Sequence, residues 1–295
     1  CSPLESYGWC QTLSTEEYAL AIPPRDFIQA LRVDNGQPEE LMRVFRRIDA
    51  DASGALSASE LRALMAQVKG SSCSEEELEY AVQLLLCKYD HGRDGELCYA
   101  EFEAAVHALA SQVDRRAYAL AATIGVAFMG FSVMFPMGPP LVQAFGLSQL
   151  QFGTLTTVFA VGKLSGNIPS SILAEQYGRK PLLIGGLLAV GVGIGGIMFA
   201  TCYEHLLLLR LAIGLGVAST FTAAGMYITD ISHSLNSART RAPMQMGMAA
   251  GMLIGPAFGG VLMEHIGFQL TALGVGAATF ATALAASVLL PETLQ

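Results

Sequence analysis

The sequence has little charge, since only 14% of its 295 residues are Asp, Glu, Lys or Arg, against about 25% in an average soluble domain. That charge is unevenly placed. Residues 1–116 hold 11 of the 17 basic and 20 of the 25 acidic side chains, so the rest of the chain is almost uncharged. This distribution excludes a single soluble domain and a nucleic-acid binder with a basic face, and it indicates an acidic head followed by a membrane part.

Two other features are missing from the sequence. The six cysteines show no CxxC pair and no regular spacing, which argues against a disulfide framework and favours a reducing compartment for the head. The first 30 residues lack the apolar core of a signal peptide. Because the first residue is Cys rather than Met, we expect the sequence to begin inside a longer product.

Apolar runs of spanning length recur from Ala117 onward and are separated by short polar loops. A helix needs about 20 apolar residues to cross the hydrocarbon core of a bilayer. Six runs with almost no intervening charge argue against buried helices of a soluble protein. The sequence predicts spans at 117–135, 152–174, 181–201, 206–228, 244–263 and 268–290. Glycines are frequent in the third and fourth of these spans, which predicts close packing of their backbones.

The basic residues near the spans all lie on one side of the predicted membrane. That side carries Arg115, Arg116, Arg179, Lys180, Arg239 and Arg241. The loops around 137–150, 202–205 and 264–267, on the opposite side, have no Lys or Arg. The positive-inside rule therefore predicts a multi-pass integral membrane protein whose amino-terminal head lies in the cytoplasm.

Three motifs in the membrane part resemble those of the major facilitator superfamily. Residues 171–180 read SILAEQYGRK and are similar to its G-x-L-x-D-x-x-G-R-K signature; Gly178, Arg179 and Lys180 match, and Glu175 stands for the acid. Ser171 departs from the leading glycine. Residues 210–216 resemble its R-x-x-x-G-x-G pattern, and residues 251–260 resemble its GxxxGPxxGG motif. The resemblance covers about residues 117–295.

This resemblance implies a secondary transporter that works by alternating access in a lipid bilayer. Its expected partners are a small-molecule solute and a second, carboxy-terminal six-span half that this chain lacks, which would make the chain a fragment. The implied gating and coupling residues are Glu175, Gly178, Arg179, Lys180, Arg210, Gly255 and Pro256. Arg179 and Lys180 are expected to pair with Glu175 or with helix ends of the other half in one state only, and Pro256 is expected to bend its helix.

Two cations fall inside predicted spans, where a charge is costly and usually faces a cavity or a partner. Lys163 lies near the middle of the second span, so we predict that Lys163 and Asn167 bind substrate. A coupling role is the alternative for Lys163, and an anion is one option for the group that it faces. Arg210 lies nearer the end of its span, where snorkelling to the interface is equally compatible with its position. Asp230 reads as a solvated loop acid.

The acidic head contains two segments with the EF-hand calcium-loop pattern. Calcium takes six to eight oxygen ligands, and residues 49–60 offer oxygens at every diagnostic position, with Gly54 at the sharp turn. Residues 90–101 repeat the pattern, but Gly92 lacks a side-chain oxygen at the third position and Cys98 is a poor ligand at the ninth. The second loop should therefore bind more weakly, and a metal-free second loop is an open alternative. The predicted ligands of Ca²⁺ are Asp49, Asp51, Ser53, Ala55, Ser57, Glu60, Asp90, Asp94, Glu96 and Glu101.

The predicted fold class is all-α, an EF-hand pair followed by a six-helix transmembrane bundle. We expect three parts: a poorly defined lead-in at 1–37, the EF-hand pair at 38–112 and the transmembrane half at 117–295. Because only residues 113–116 separate the last EF-hand helix from the first span, calcium is expected to shift the transporter between its states.

The predicted function is a calcium-binding, calcium-regulated secondary transporter of a small solute, for which an anion is one option. A membrane-anchored calcium sensor without transport, or a calcium-regulated carrier of another family, are the alternatives. The repeated P-x-[DE]-x-x-[KR] motif of mitochondrial carriers is absent. No nucleophile–base set is visible, so we do not expect an enzyme.

Overall fold

The structure is a computed structural model, and it describes residues 24–33, 36–69 and 74–293. The chain divides into two compact units. The first contains the head and, in addition, the segment Ser232–Arg239; the second contains Asp114–Ile231 and Thr240–Gln295. The cysteines at 1, 10 and 73 and most of the predicted lead-in lie outside the described residues.

The described residues of the head form five helices and one short antiparallel strand pair. Its elements in chain order are α1 (Pro24–Leu31), α2 (Pro38–Ile48), β1 (Ala55–Leu56), α3 (Ala58–Lys69), α4 (Glu75–Tyr89), β2 (Leu97–Cys98) and α5 (Tyr99–Ala110). β1 and β2 pair with Leu56 opposite Leu97, so an antiparallel strand pair joins the two calcium loops. Both leucines are fully buried, so the pair joins the loops to the core beneath them.

One apolar core unites the helices of the head. Phe45 of α2 meets both Tyr99 and Phe102 of α5 edge-on, each with ring centroids 5.6 Å apart. Such edge-to-face pairs suit the charge distribution of aromatic rings. Phe27, Ile28 and Leu31 of α1 belong to the same core and are at most 1% exposed. The helix α1 therefore fills part of the apolar surface of the EF-hand pair.

The described residues of the second unit form helices joined by short turns and loops. Its elements are α6 (Arg115–Ser132), α7 (Gly138–Phe145), α8 (Gln149–Tyr177), α9 (Arg179–Gly195), a 3₁₀ turn (Gly196–Phe199), α10 (Tyr203–Ile231) and α11 (Ser237–Leu289). α11 covers the fifth and sixth predicted spans and breaks at Gly267, where φ is 78°. The predicted all-α fold class, an EF-hand pair before a helical membrane bundle, is confirmed.

Three of these helical segments are long and apolar enough to cross a membrane: Arg179–Phe199, Tyr203–Ile231 and Ser237–Leu289. The first two predicted spans correspond to α6 and α8, which are not apolar enough to count among these segments. α6 is 18 residues long and includes Arg115 and Arg116, while α8 carries Lys163 and Asn167 among many hydroxyl side chains. Polar residues in α8 thus lower the hydropathy of a helix that is 29 residues long.

Glycines let the helices of the second unit approach closely, as the sequence predicted. A Cβ at Gly186 would lie 2.8 Å from the carbonyl of Gly216, and one at Gly193 would strike Ile213. Small residues are the usual means by which membrane helices bring their backbones together. Gly185 and Gly225 do not take part, because nothing lies within 4 Å of their ideal Cβ positions.

The cysteines of the head depart from expectation. Cys87 in α4 is disulfide-bonded, whereas Cys98 and Cys202 are free. One such bond is not a disulfide framework, but the bond itself was not predicted. Composition and spacing could not show this bond, because disulfide pairing depends on which Cα atoms the fold brings within about 7 Å of each other.

Candidate functional site

The first calcium loop is shaped by its own carboxylates. Asp49 accepts backbone N–H groups of Ser53 at 3.0 Å and Gly54 at 3.1 Å, and Asp51 accepts the same Ser53 N–H at 3.0 Å. Gly54 has φ of 87°, a left-handed conformation that glycine adopts without steric cost. These bonds curl the backbone around the two aspartates and hold both carboxylates in place.

Glu60 closes the loop from the first turn of α3. Its Oε1 accepts the N–H of Ala50 at 2.7 Å, and its Oε2 accepts the N–H of Ser57 at 2.9 Å. Burial alone would raise the pKa of Glu60, but these N–H donors outweigh it and the pKa is lowered. The Ser53 hydroxyl and N–H likewise lower the pKa of Asp51. Both carboxylates are therefore ionised at neutral pH, as a cation site requires.

The arrangement of oxygens suits a hard divalent cation. One carboxylate oxygen each from Asp49, Asp51 and Glu60 lies within 4.8 Å of the others. Two further oxygens of the same loop lie together, since the Ser53 hydroxyl donates to the Ala55 carbonyl at 2.9 Å. An all-oxygen set with several carboxylates is typical of calcium or magnesium and atypical of zinc. The ligand chemistry of this loop thus fits Ca²⁺.

The second loop has the same backbone but a poorer ligand set. Glu101 accepts the N–H groups of His91 at 2.8 Å and Cys98 at 3.1 Å, much as Glu60 does in the first loop. Asp90 accepts the N–H of Gly95 at 2.9 Å, and the Glu96 N–H is bonded to Asp94 at 3.1 Å. Within the described part of the chain, the carboxylates of this loop do not form a cluster as tight as that of the first loop.

Gly92 explains the difference between the loops. An ideal Cβ at Gly92 would lie 3.4 Å from Asp94 Oδ2 and 3.7 Å from Asp90 Oδ1, which is where a third carboxylate would stand. The predicted weaker binding of the second loop remains a prediction, and the geometry supplies its physical reason.

The GRK motif of the second unit forms a charged cluster at the junction of α8 and α9. Arg179 Nε lies 2.8 Å from Asp230 Oδ2, and both side chains are mostly buried, at 14% and 23% exposure. Thr293 donates to the same Asp230 oxygen at 2.9 Å. Asp230 is therefore not the solvated loop acid that the sequence suggested, and it, rather than the exposed Glu175, pairs with Arg179.

Glu292 completes this cluster by capping α9. Its carboxylate accepts the N–H groups of Arg179 at 3.1 Å and Lys180 at 3.3 Å, two donors left without partners at a helix start. Gly178 makes this approach possible, because a Cβ there would lie 2.6 Å from Glu292 Oε2. Its φ of 102° is also unfavourable for residues with a side chain. Gly178 is needed for two independent reasons.

The predicted substrate residues share one face of α8. Lys163 and Asn167 are four residues apart and exposed, and Lys163 Nζ lies 5.4 Å from the centre of the Phe221 ring. Phe221 in turn meets Phe128 edge-on at 4.8 Å. The structure therefore places a cation beside a group of aromatic rings. Arg210 is elsewhere, partly buried, and donates to Met134 Sδ at 3.6 Å.

The proline motif of α11 packs against α6 through a row of glycines. A Cβ at Gly251 or Gly255 would strike Gly125 or Ser132, and one at Gly259 would lie 2.7 Å from Val133. Ser132 Oγ donates to the Gly251 carbonyl at 2.9 Å, which adds a hydrogen bond to the contact. Gly260 lies outside the contact. The row of glycines, which also brings Pro256 beside α6, would let these two helices slide with few side chains in the way.

Sequence reasoning missed the acids of the charged cluster and part of the glycine row. Asp230 and Glu292 lie at the ends of predicted spans on the side that carries Arg179, so their position relative to the GRK motif was the available signal. Gly247 continues the spacing of four residues seen in the proline motif, and a Cβ there would strike Ala121. That periodicity could have been read from the sequence alone.

Comparison with known proteins yields two family matches. The Major Facilitator Superfamily model matches residues 120–294, which is more than half of the chain, and an EF-hand domain pair model matches residues 38–107. The Streptococcus pneumoniae (serotype 4) multi-drug resistance efflux pump PmrA is 28% identical over 168 residues, covering 56% of this chain and 42% of the pump. The 4-hydroxybenzoate transporter PcaK of Pseudomonas putida is 29% identical over 180 residues, covering 58% of this chain and 37% of the transporter.

The relatives are longer than the matched region. The chain spans about two fifths of the length of the curated relatives it matches. Another of them, the PmrA homolog of Lactococcus lactis, is 30% identical over 163 residues, and the match covers 39% of that homolog. The Major Facilitator Superfamily model begins at residue 120, after the EF-hand pair, so that family match bears on the second unit of this chain and not on its calcium loops.

Proposed function

The chain belongs to the Major Facilitator Superfamily. On this premise we propose that it is part of a calcium-regulated secondary transporter of a small solute. Its second unit would be one six-helix half of such a transporter, and a second half would complete the solute path. The observation that carries this proposal is the cluster of Arg179, Asp230 and Glu292, a charge contact at helix ends that could be made in one transport state and broken in another.

The proposed solute is a small organic anion. Lys163 supplies an exposed positive charge within a helix, and Asn167 supplies a hydrogen-bonding amide one turn away. An intramembrane cation usually marks a substrate path or faces a partner charge. The aromatic rings beside Lys163 favour an anion that also has an apolar or aromatic part.

The proposed ligand of the first unit is Ca²⁺ at residues 49–60. The convergence of Asp49, Asp51 and Glu60 supports this assignment, and the second loop at 90–101 would bind more weakly. Isothermal titration calorimetry of the purified protein with Ca²⁺ tests it directly, with Mg²⁺ as the comparison. Absence of any calcium heat would contradict the calcium-binding part of the proposal.

We propose that the EF-hand unit faces the cytoplasm. Six basic residues against none in the loops of the other side support this orientation. The disulfide at Cys87 is the observation against it, because such bonds are rare in reducing compartments. Protease protection in sealed right-side-out vesicles, followed by detection of the amino-terminal unit, decides between the two sides.

Transport is tested with the protein reconstituted in sealed vesicles. Uptake of radiolabelled aromatic and aliphatic acids is measured with calcium and with chelator, beside the variant Lys163→Met. We expect uptake of an aromatic acid that depends on Lys163 and changes with calcium. If calcium binds but none of the acids or of a panel of neutral drugs enters the vesicles, a membrane-anchored calcium sensor becomes the better interpretation.

A further inference from the structure

Eight residues after α10, five that precede α11 and three in its first turn, belong structurally to the EF-hand unit. The segment Ser232–Arg239 clusters with the head, whereas Ile231 before it and Thr240 after it belong to the second unit. The chain therefore leaves the second unit after Ile231 and returns to it at Thr240. A change in the conformation of the EF-hand pair would act on this segment directly.

Leu235 anchors the segment in the core of the head. Its side chain packs against the cluster that contains Phe27, Leu31 and Leu109. Gly36 leaves room for it, because a Cβ at Gly36 would lie 3.0 Å from Leu235 Cδ2. This contact ties the segment to the apolar interior, where a change in helix packing is felt most directly.

Two hydrogen bonds attach the segment to the ends of two different helices. Ser234 Oγ donates to the Val33 carbonyl at 2.7 Å, two residues after the end of α1, and Asn236 Nδ2 donates to the Gln112 carbonyl at 2.9 Å, two residues after the end of α5. Asn236 is 3% exposed, and its Oδ1 accepts the N–H of His233 at 2.9 Å. Both ends of the Asn236 amide are thus satisfied in the docked segment.

These attachment points should move relative to each other when calcium binds. α5 leaves the second loop, and the β1–β2 pair joins that loop to the first. Calcium binding to sensor EF-hands changes the angle between their helices by tens of degrees. Because α1 packs against α3 as well as against α5, a change in the angle between α3 and α5 would move Val33 relative to Gln112 and strain the two bonds of the segment.

We propose that Ser232–Arg239 is a calcium-released docking segment of the EF-hand pair. Without calcium, Ser234, Leu235 and Asn236 hold it on the head; with calcium at residues 49–60, it is freed. This inference rests on the proposed function, since it requires that the first loop bind calcium, and it names the contact through which calcium would act on the helices at either side.

Hydrogen–deuterium exchange of the full chain in lipid nanodiscs tests the proposal. Peptides that cover residues 232–239 are expected to exchange about tenfold faster with calcium than with chelator, as for a segment that loses its hydrogen bonds. Glu60→Gln should abolish this difference. Asn236→Ala should give fast exchange in both conditions, while the connection at residues 200–202, between α9 and α10, serves as an unchanged internal control.

The outcomes separate the two proposals. If calorimetry on the same sample shows bound calcium but exchange of the segment is equal or slower with calcium, the docking proposal is wrong and calcium binding stands. If calorimetry shows no calcium binding, both proposals fail. Fast exchange in the wild type without calcium would also overturn the proposal, because it would mean that the segment is not held.

Discussion

The negative charge of the carboxylates is neutralised by different groups in the two units of the chain. In the first calcium loop, Asp49, Asp51 and Glu60 are held by backbone N–H groups and serine hydroxyls, and their oxygens converge on one point. In the second unit, Asp230 faces Arg179 and Glu292 faces the start of α9. The first set therefore needs a cation from solution, whereas the second carries its own positive charge.

This contrast indicates what each site can respond to. A carboxylate cluster without an internal cation is stabilised whenever calcium is present, so its state follows the calcium concentration. An internal ion pair binds no calcium itself, so calcium can change it only by moving the helices that carry it. The four variants below test that separation, in order of expected effect.

Gly178→Ala should have the largest effect. The strained φ of 102° and the contact with Glu292 together are expected to lower the free energy of unfolding by about 3 kcal/mol. Gly185→Ala is the matched control, since nothing lies within 4 Å of its ideal Cβ, and it should change stability by less than about 0.5 kcal/mol. Chemical unfolding in detergent measures both, and equal stabilities would contradict the cap that Glu292 provides.

Glu60→Gln should nearly abolish calcium binding in the first loop. Loss of one charged bidentate ligand is expected to weaken binding by about 100-fold, or about 2.7 kcal/mol. Calorimetry measures the change. Glu76→Gln removes the same charge from an exposed position on α4 and should leave the affinity within about twofold, since exposed charges contribute little. A similar loss in both variants would mean that net charge, not ligand geometry, governs binding.

Asp230→Asn removes the partner of Arg179 but keeps an oxygen for Thr293. We expect a loss of about 2 kcal/mol in unfolding free energy, because a mostly buried guanidinium is left unpaired. The exposed Glu264→Gln is the control and should be neutral within about 0.5 kcal/mol. Glu264→Gln should leave the calcium affinity unchanged, whereas Asp230→Asn should change it only through the coupling between calcium and the transport states. A loss of calcium affinity as large as that of Glu60→Gln would break the separation between the two sets of carboxylates.

Gly92→Asp should strengthen calcium binding by the second loop, where Glu60→Gln weakens it in the first. An aspartate side chain would enter the space between Asp90 and Asp94 and restore the third ligand of the second loop. Calcium affinity of that loop is expected to rise about tenfold, or about 1.4 kcal/mol. Gly92→Ala adds the same Cβ without the carboxylate, and an equal gain from it would show that backbone stiffening, not ligation, was responsible.

Much of the architecture could be predicted from local pattern. The calcium loops follow from the spacing of acids around Gly54, and the helices of the second unit follow from apolar runs between short polar loops. Their ends differ by only a few residues from prediction, apart from α7 and the merged α11. The charged cluster could not be predicted, because Arg179, Asp230 and Glu292 are far apart in the sequence and meet only through the packing of helix ends.

By itself, the sequence determined the chemistry available at each place: oxygens in the loops, a cation in α8 and small residues in the helices that pack closely. Only the tertiary structure decided which groups meet. It paired Arg179 with Asp230 rather than Glu175, put Glu292 on the start of α9 and set Asn236 on the end of α5. The physical reason is that ligand spacing within one loop is set by the local backbone, whereas contacts between distant segments depend on how whole helices pack.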